Sequence, residues 1–299
     1  MVLIDKGNLY SCRQKGCDAM KRILMFIFCF IVFFQLQANA EFWADTWINA
    51  GYYETNAENP NFRSVIERSE LRFGYQPGED FTATPYIVLY NVYGQDANYW
   101  NNNLAYGVGL RLKPFTSFDS KYIFLDWITG VKLYSEILAL AFLKDQETAT
   151  ANKVKTNDFR IGLDVWHEWN LQNADPDLFW AEMWSNLSYR NTNFYDEINF
   201  NKFQTYVGYF QLKVGRHIFN GLKPYAALYV NKSGADAVWL NNILYGIGLR
   251  IEPYTDKKDF PPLLQKFKMF VEILSVSWFG ETERPKSDFR FGIEFTQGR

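Results

Sequence analysis

The chain has 299 residues, with 31 lysines and arginines against 33 aspartates and glutamates, and 19% aromatic residues beside a mean hydropathy of −0.26. That balance provides no basic face for a nucleic acid, and a water-soluble domain seldom carries so many aromatics at a negative hydropathy. A membrane wall does, because lipid-facing apolar residues alternate with polar ones and aromatic girdles mark both interfaces.

Residues 1–19 are polar and read as an upstream extension. Met20-Lys21-Arg22, an apolar run from Ile23 to Phe34 and then Ala38-Asn39-Ala40 form a basic n-region, an h-region and a small-residue cleavage site, with Glu41 as the expected mature start. The run is shorter than the about 20 residues a spanning helix needs, which sets an uncleaved anchor aside. Cys12, Cys17 and Cys29 all precede the cleavage site, so residues 41–299 contain no cysteine for a disulfide, a thiolate metal site or a nucleophile. Removing residues 1–40 takes away five basic and two acidic residues and leaves a net charge of −5.

From there the chain repeats itself. Residues 42–169 and 179–299 carry the same six segments in the same order. Asn103-Leu104-Ala105-Tyr106-Gly107-Val108-Gly109-Leu110-Arg111 answers to Asn242-Ile243-Leu244-Tyr245-Gly246-Ile247-Gly248-Leu249-Arg250, and Phe42-Trp43-Ala44-Asp45-Thr46-Trp47 to Phe179-Trp180-Ala181-Glu182-Met183-Trp184. Predicted strands run over 42–53, 63–75, 83–91, 104–113, 129–142 and 158–168, then 179–190, 203–215, 223–231, 242–251, 267–279 and 288–296. The period is two: Tyr106, Val108, Leu110 and Leu112 point one way and Gly107, Gly109, Arg111 and Lys113 the other. A soluble two-sheet sandwich would alternate in the same way. The leader, the tandem repeat, the aromatic load and the even strand count favour an all-β, twelve-stranded antiparallel transmembrane barrel built from two six-strand repeats, in the outer membrane of a Gram-negative bacterium.

With both termini periplasmic, 54–62, 92–103, 143–157, 191–202, 232–241 and 280–287 are the external connections. Tyr93, Tyr99, Trp100 and Trp239 in them could stack on a ligand, or serve as ordinary interface aromatics. The polar candidates are charges that recur in both halves: Asp45 with Glu182, Arg72 with Lys213, Arg111 with Arg250, Glu136 with Glu272, and Arg160 with Arg290. An Arg or Lys facing lipid at mid-depth costs about 2–4 kcal/mol, so these residues are expected to line the lumen. Arg72, Arg111, Arg160, Lys213, Arg250 and Arg290 would form an electropositive ladder, with the acids as partners and constriction groups. The alternative is a salt-bridged filling of a narrow barrel, since twelve strands lie between the eight that side chains fill and the sixteen or more of open porins. Gly107, Gly109, Gly246 and Gly248 either leave space beside the arginines or ease curvature.

His167 and His217 do not occupy matching places, and no serine triad, phosphate loop or metal-ligand spacing can be assembled, so no catalytic residue, cofactor or metal is expected. A barrel lipid or glycan hydrolase is the least favoured class.

The segments Trp47-Ile48-Asn49-Ala50-Gly51-Tyr52-Tyr53, Glu70-Leu71-Arg72-Phe73-Gly74-Tyr75, Thr84-Pro85-Tyr86-Ile87-Val88-Leu89-Tyr90, Tyr106 to Arg111 and Tyr134-Ser135-Glu136-Ile137 resemble the C-terminal barrel domain of NfrA-type phage adsorption proteins. The resemblance implies an outer-membrane barrel that phage use as a receptor and that is associated with exopolysaccharide export. The long helical-repeat periplasmic region of that family is missing here, so export would require a separate periplasmic partner. The sequence thus predicts a channel or porin in contact with outer-membrane lipid and passing a polar solute or polysaccharide. A non-conducting binding protein acting through its external loops is the alternative.

Overall fold

A computed structural model describes residues 41–54, 64–76, 82–95, 99–115, 123–169, 179–193, 204–218, 221–234, 240–254, 259, 262–279 and 286–297. The leader, residues 1–40, lies outside the described residues. Twelve strands follow in order: β1 (Glu41–Tyr53), β2 (Ser64–Gln76), β3 (Ala83–Gly94), β4 (Asn102–Leu112), β5 (Val131–Phe142), β6 (Asn157–Trp169), β7 (Phe179–Arg190), β8 (Thr205–Arg216), β9 (Leu222–Ser233), β10 (Asn242–Ile251), β11 (Phe267–Trp278) and β12 (Ser287–Gln297). Each strand pairs antiparallel with its sequence neighbour, and β1 pairs with β12 from Thr46↔Gln297 to Tyr53↔Arg290, which closes the barrel.

The alternation dictates which face is which. Ile137, Ile247 and Ile273 on the outer wall are 65%, 67% and 60% exposed, as are many of their apolar neighbours to a lesser degree, while Arg111, Glu136, Arg250 and Glu272 point inward and are buried. An apolar wall of that extent is incompatible with water. A closed strand wall leaves no unpaired edge and can therefore span a bilayer. The registers also tilt the strands. The row Thr46, Leu71, Leu89, Tyr106, Ala139, Asn157 climbs from the middle of β1 to the far end of β6.

The connection expected over 92–103 is shorter than its sequence suggests, because β3 runs on to Gly94 and β4 starts at Asn102. Asn102 stabilises this tightening by accepting the Gly94 N–H at 3.2 Å, and Asn103 donates to the Trp100 carbonyl at 2.7 Å. A short helix α1 (Gln146–Ala151) lies in the connection between β5 and β6, and α2 (Pro262–Gln265) in the one between β10 and β11. Residues Ile123–Gly130 form a 3₁₀ helix that packs against β6. Among the described residues no helix is long and apolar enough to cross a membrane.

Candidate functional site: the barrel lumen

The inward faces carry opposite charges in direct register on neighbouring strands: Asp45↔Arg72, Glu136↔Arg160, Glu182↔Lys213, Glu272↔Arg290 and Lys268↔Glu294. Such cross-strand pairs stabilise a ladder. Register neighbours are nevertheless not always the closest partners. Arg111 on β4 reaches past two strands to Asp45 on β1, with its Nη1 2.5 Å from Oδ2. Its guanidinium lies over the Trp43 ring, 3.4 Å from the centroid. The second repeat builds the same unit on β7 and β10. Arg250 donates to Glu182 at 2.9 Å and its guanidinium stands 4.7 Å from the Trp180 centroid. Glu182 additionally accepts Gln211 Nε2 at 2.7 Å and has Lys268 at 3.6 Å and Lys213 at 4.0 Å.

The acids Glu136 and Glu272 occupy a second duplicated unit. Tyr86 and Tyr90 on β3 donate to Glu136 Oε1 at 2.9 and 2.7 Å. Tyr225 on β9 donates to Glu272 Oε1 at 2.7 Å, and Tyr229 donates to the same oxygen. Arg72 stands 3.7 Å from Glu136 and donates to the Tyr90 hydroxyl at 3.0 Å, while Lys213 stands 3.9 Å from Glu272. Burying ionised groups is tolerable only when they are paired and hydrogen-bonded. Each carboxylate of these units accepts at least one hydrogen bond, while Glu136 Oε2, Arg72 Nε, Arg111 Nε and Arg250 Nη1 have none among the described residues.

These contacts change the reading of the arginines. Every cation of the expected ladder has a carboxylate within 4.0 Å: Arg72 has Glu70 at 3.0 Å, Arg160 has Asp158 at 2.6 Å, and Arg290 has Asp288 at 2.5 Å, besides the pairs above. The lining is therefore a set of neutralised ion pairs rather than an electropositive track. The glycines do not leave room beside the arginines either. The Tyr86 and Tyr225 rings lie over Gly109 and Gly248, where a Cβ would meet their hydroxyls at 2.7 Å in both halves.

At mid-barrel two tryptophans meet. Trp47 is central in β1 and Trp184 central in β7, strands six steps apart in either direction around the barrel. Their ring centroids are 5.9 Å apart with an interplanar angle of 50°. The two are equivalent positions of the repeat, so duplication placed one indole on each side of the lumen and closure brought them together. Trp184 Nε1 donates to Asp164 at 2.8 Å and its ring lies 4.6 Å from that of Tyr209. Asn186, two residues on, accepts the Tyr134 hydroxyl at 3.2 Å, and its counterpart Asn49 accepts that of Tyr53 at 2.5 Å.

A buried apolar cluster ties the connections to the wall as well. Tyr99, Leu138, Leu140, Ala149, Val154, Val207 and Leu240 belong to one buried apolar cluster that joins α1 and the 3₁₀ turn Tyr99–Asn101 to β5 and β8. Tyr99, read as either a ligand-stacking or an ordinary interface aromatic, is 1% exposed and packs edge-on against Trp100 at 4.8 Å and Phe142 at 5.4 Å. Tyr93 stands on the outer face of β3, 48% exposed, with Lys144 4.5 Å from its ring. Trp239 lies outside the described residues. His167 is on the outer face of β6 with its ring 4.3 Å from Trp169, and His217 follows β8 and is buried.

The reading from sequence found the matched charges and missed what holds them. Tyr86, Tyr90, Tyr225 and Tyr229 share the inward parity of the charges, and Pro85-Tyr86 answers to Pro224-Tyr225. That parity was the available signal.

No family model matches the chain, and no curated protein does. Solved structures that resemble it include the β domain of the Bordetella autotransporter BrkA, with 14% identity over 86% of this chain and 99% of that one and a TM-score of 0.35. The KdgM porin in complex with disordered oligogalacturonate has 9% identity over 84% and 98%, with a TM-score of 0.36. An outer-membrane channel from Pseudomonas putida F1 has 10% identity over 88% and 96%, with a TM-score of 0.38. The likeness is one of architecture only. The strand pairing and the apolar wall described above make this chain a twelve-stranded outer-membrane barrel of the Gram-negative type.

Proposed function

We propose that the barrel is an outer-membrane channel for a polar solute, and that the lumen described here is its closed state. The observation that carries this reading is the way the centre is shut. Two side chains from opposite walls meet there. Side chains change rotamer far more readily than a wall rearranges. On the NfrA-type resemblance the solute is a polar polymer of exopolysaccharide type, handed on by a separate periplasmic protein, with cleavage after Ala40 delivering the barrel to the periplasm.

The test is electrical. Folded protein in a planar bilayer should give discrete current steps, brief ones in keeping with a lumen that is shut at rest. Silence through repeated insertions at high applied voltage ends the channel reading. The second reading, a surface receptor for phage or another ligand, is favoured by the apolar cluster around Tyr99, Ala149 and Val154. It expects that silence, together with ligand binding at the external connections.

A further inference from the structure

We propose that passage is controlled by the Trp47–Trp184 pair and is decided by the solute's cross-section rather than by its charge. This rests on the channel reading above.

The first observation is what the lumen leaves accessible. Glu182 is 0% exposed, Arg250 1%, Glu272 2% and Lys213 4%. Trp47, Trp184, Tyr209 and Asn186 are only half-buried. Mid-barrel, the surface that a solute meets is largely aromatic and amide, with Arg68, in register with Asn49, as a partly exposed charge, and the paired charges lie behind it. The most open cation of the ladder is Arg290, with its side chain 19% exposed and Asp288 2.5 Å away.

The second observation is the pairing itself. An anion that took Arg111 would have to displace Asp45 at 2.5 Å, and one that took Arg250 would have to displace Glu182 at 2.9 Å. A carboxylate already fixed and desolvated at that distance is favoured over an incoming one, which must still lose its water and its freedom. A permeant cation faces the same obstacle at the acids. The buried pairs therefore contribute little field along the axis, and discrimination by charge should be weak.

The third observation is the geometry of the closure. The two indoles come from equivalent positions in the two repeats and meet across the whole lumen. Trp184 is held by Asp164, which accepts its Nε1–H at 2.8 Å, and by the Tyr209 ring at 4.6 Å.

The experiment compares wild type with Trp47→Ala, Trp184→Ala and the double variant in planar bilayers. A heat-modifiability gel first establishes that each is folded. The double variant should conduct several-fold more than wild type and stay open longer. It should admit larger neutral polyethylene glycols, and its reversal potential in a steep KCl gradient should lie close to zero. Trp47→Ala alone should give a clear part of the effect, which covers the case where Trp184→Ala does not fold.

Residues 41–299 have no cysteine, so Trp47→Cys offers a second route. A bulky maleimide attached there should shut the opened lumen again, and excess free thiol added beforehand should prevent it. If wild type conducts and the variants match it in conductance and open time, the gate is wrong and the channel stands. If the opened variants are strongly anion- or cation-selective, control by cross-section is wrong. If neither wild type nor any variant conducts, both readings fall.

Discussion

The two halves of the barrel are copies that have diverged in how firmly their buried charges are held. In the first, Arg111 is the one cation close to Asp45 among the described residues, and the indole beneath that guanidinium, Trp43, is half-buried. In the second, the acid is one carbon longer. Glu182 reaches Arg250, Gln211 and Lys268, with Lys213 at 4.0 Å, and Trp180 is 1% exposed. The outer walls differ too. Glu67 accepts Ser69 at 3.4 Å and Asn91 at 3.5 Å on the outside of β2 and β3, where the corresponding positions of β8 and β9 are Gly208, Phe210 and Val230. The second repeat is therefore the tighter and more apolar half. The extra methylene lets Glu182 reach partners that Asp45 does not.

The largest test of that difference removes the two acids. Glu182→Ala removes the carboxylate shared by the buried Arg250 and Lys268, leaving them Glu252 and Glu294 at 3.8 Å each, and breaking a buried pair costs about 3–5 kcal/mol. Asp45→Ala strands one arginine that keeps its indole face, and should cost less than half as much. Urea unfolding of the refolded barrels measures both. Equal losses would show that the extra contacts of Glu182 contribute nothing.

A second comparison uses the outer wall, where the halves should agree. Ile137 and Ile273 are matched positions, 65% and 60% exposed to lipid. Replacing either with Arg should destabilise by about 2–4 kcal/mol if both sit near mid-depth. A clear inequality in unfolding midpoints would mean that the two halves lie at different depths, and that the internal symmetry does not extend to the bilayer.

Much of this was legible in the sequence, and the reason is the period of two. Strand limits fell within three residues of those found, and every matched charge faces inward, because a one-residue error in parity would turn a whole strand's charges into lipid. The partners were not legible. Asp45 stands in register with Arg72, yet it is Arg111, from a strand three away, that lies closest to it. Only the curvature of the closed wall brings β1 and β4 within reach across the interior. The Trp47–Trp184 contact is hidden for the same reason. The repeat shows that the two residues are equivalent, but their meeting depends on the strand count that puts β1 and β7 opposite each other. Tyr99 stays ambiguous because a loop's aromatic looks alike in sequence whether it faces water or packs into a buried cluster.

The smallest expected effect is the sharpest probe of how rigid each half is. Gly74 and Gly215 are matched, and each lies under a tryptophan. A Cβ at Gly74 meets nothing nearer than the Trp43 indole, whose Nε1 would be 2.7 Å away. At Gly215 the nearest atom is the Pro224 carbonyl oxygen, with Trp180 Cε2 at 2.8 Å behind it. Trp43 is half-buried and can swing aside, taking with it the face on which Arg111 rests. Trp180 is enclosed, and a backbone carbonyl in a paired strand does not move without its ladder. Gly215→Ala should therefore cost about 1–3 kcal/mol, the range for an overpacked site, and Gly74→Ala clearly less. Gly74→Ala should also loosen the hold on Arg111, so combining it with Asp45→Ala should cost more than the sum of the two single changes. Matched costs for the two alanines would mean that Trp43 is as fixed as Trp180, and that the looser half is loose only at its acid.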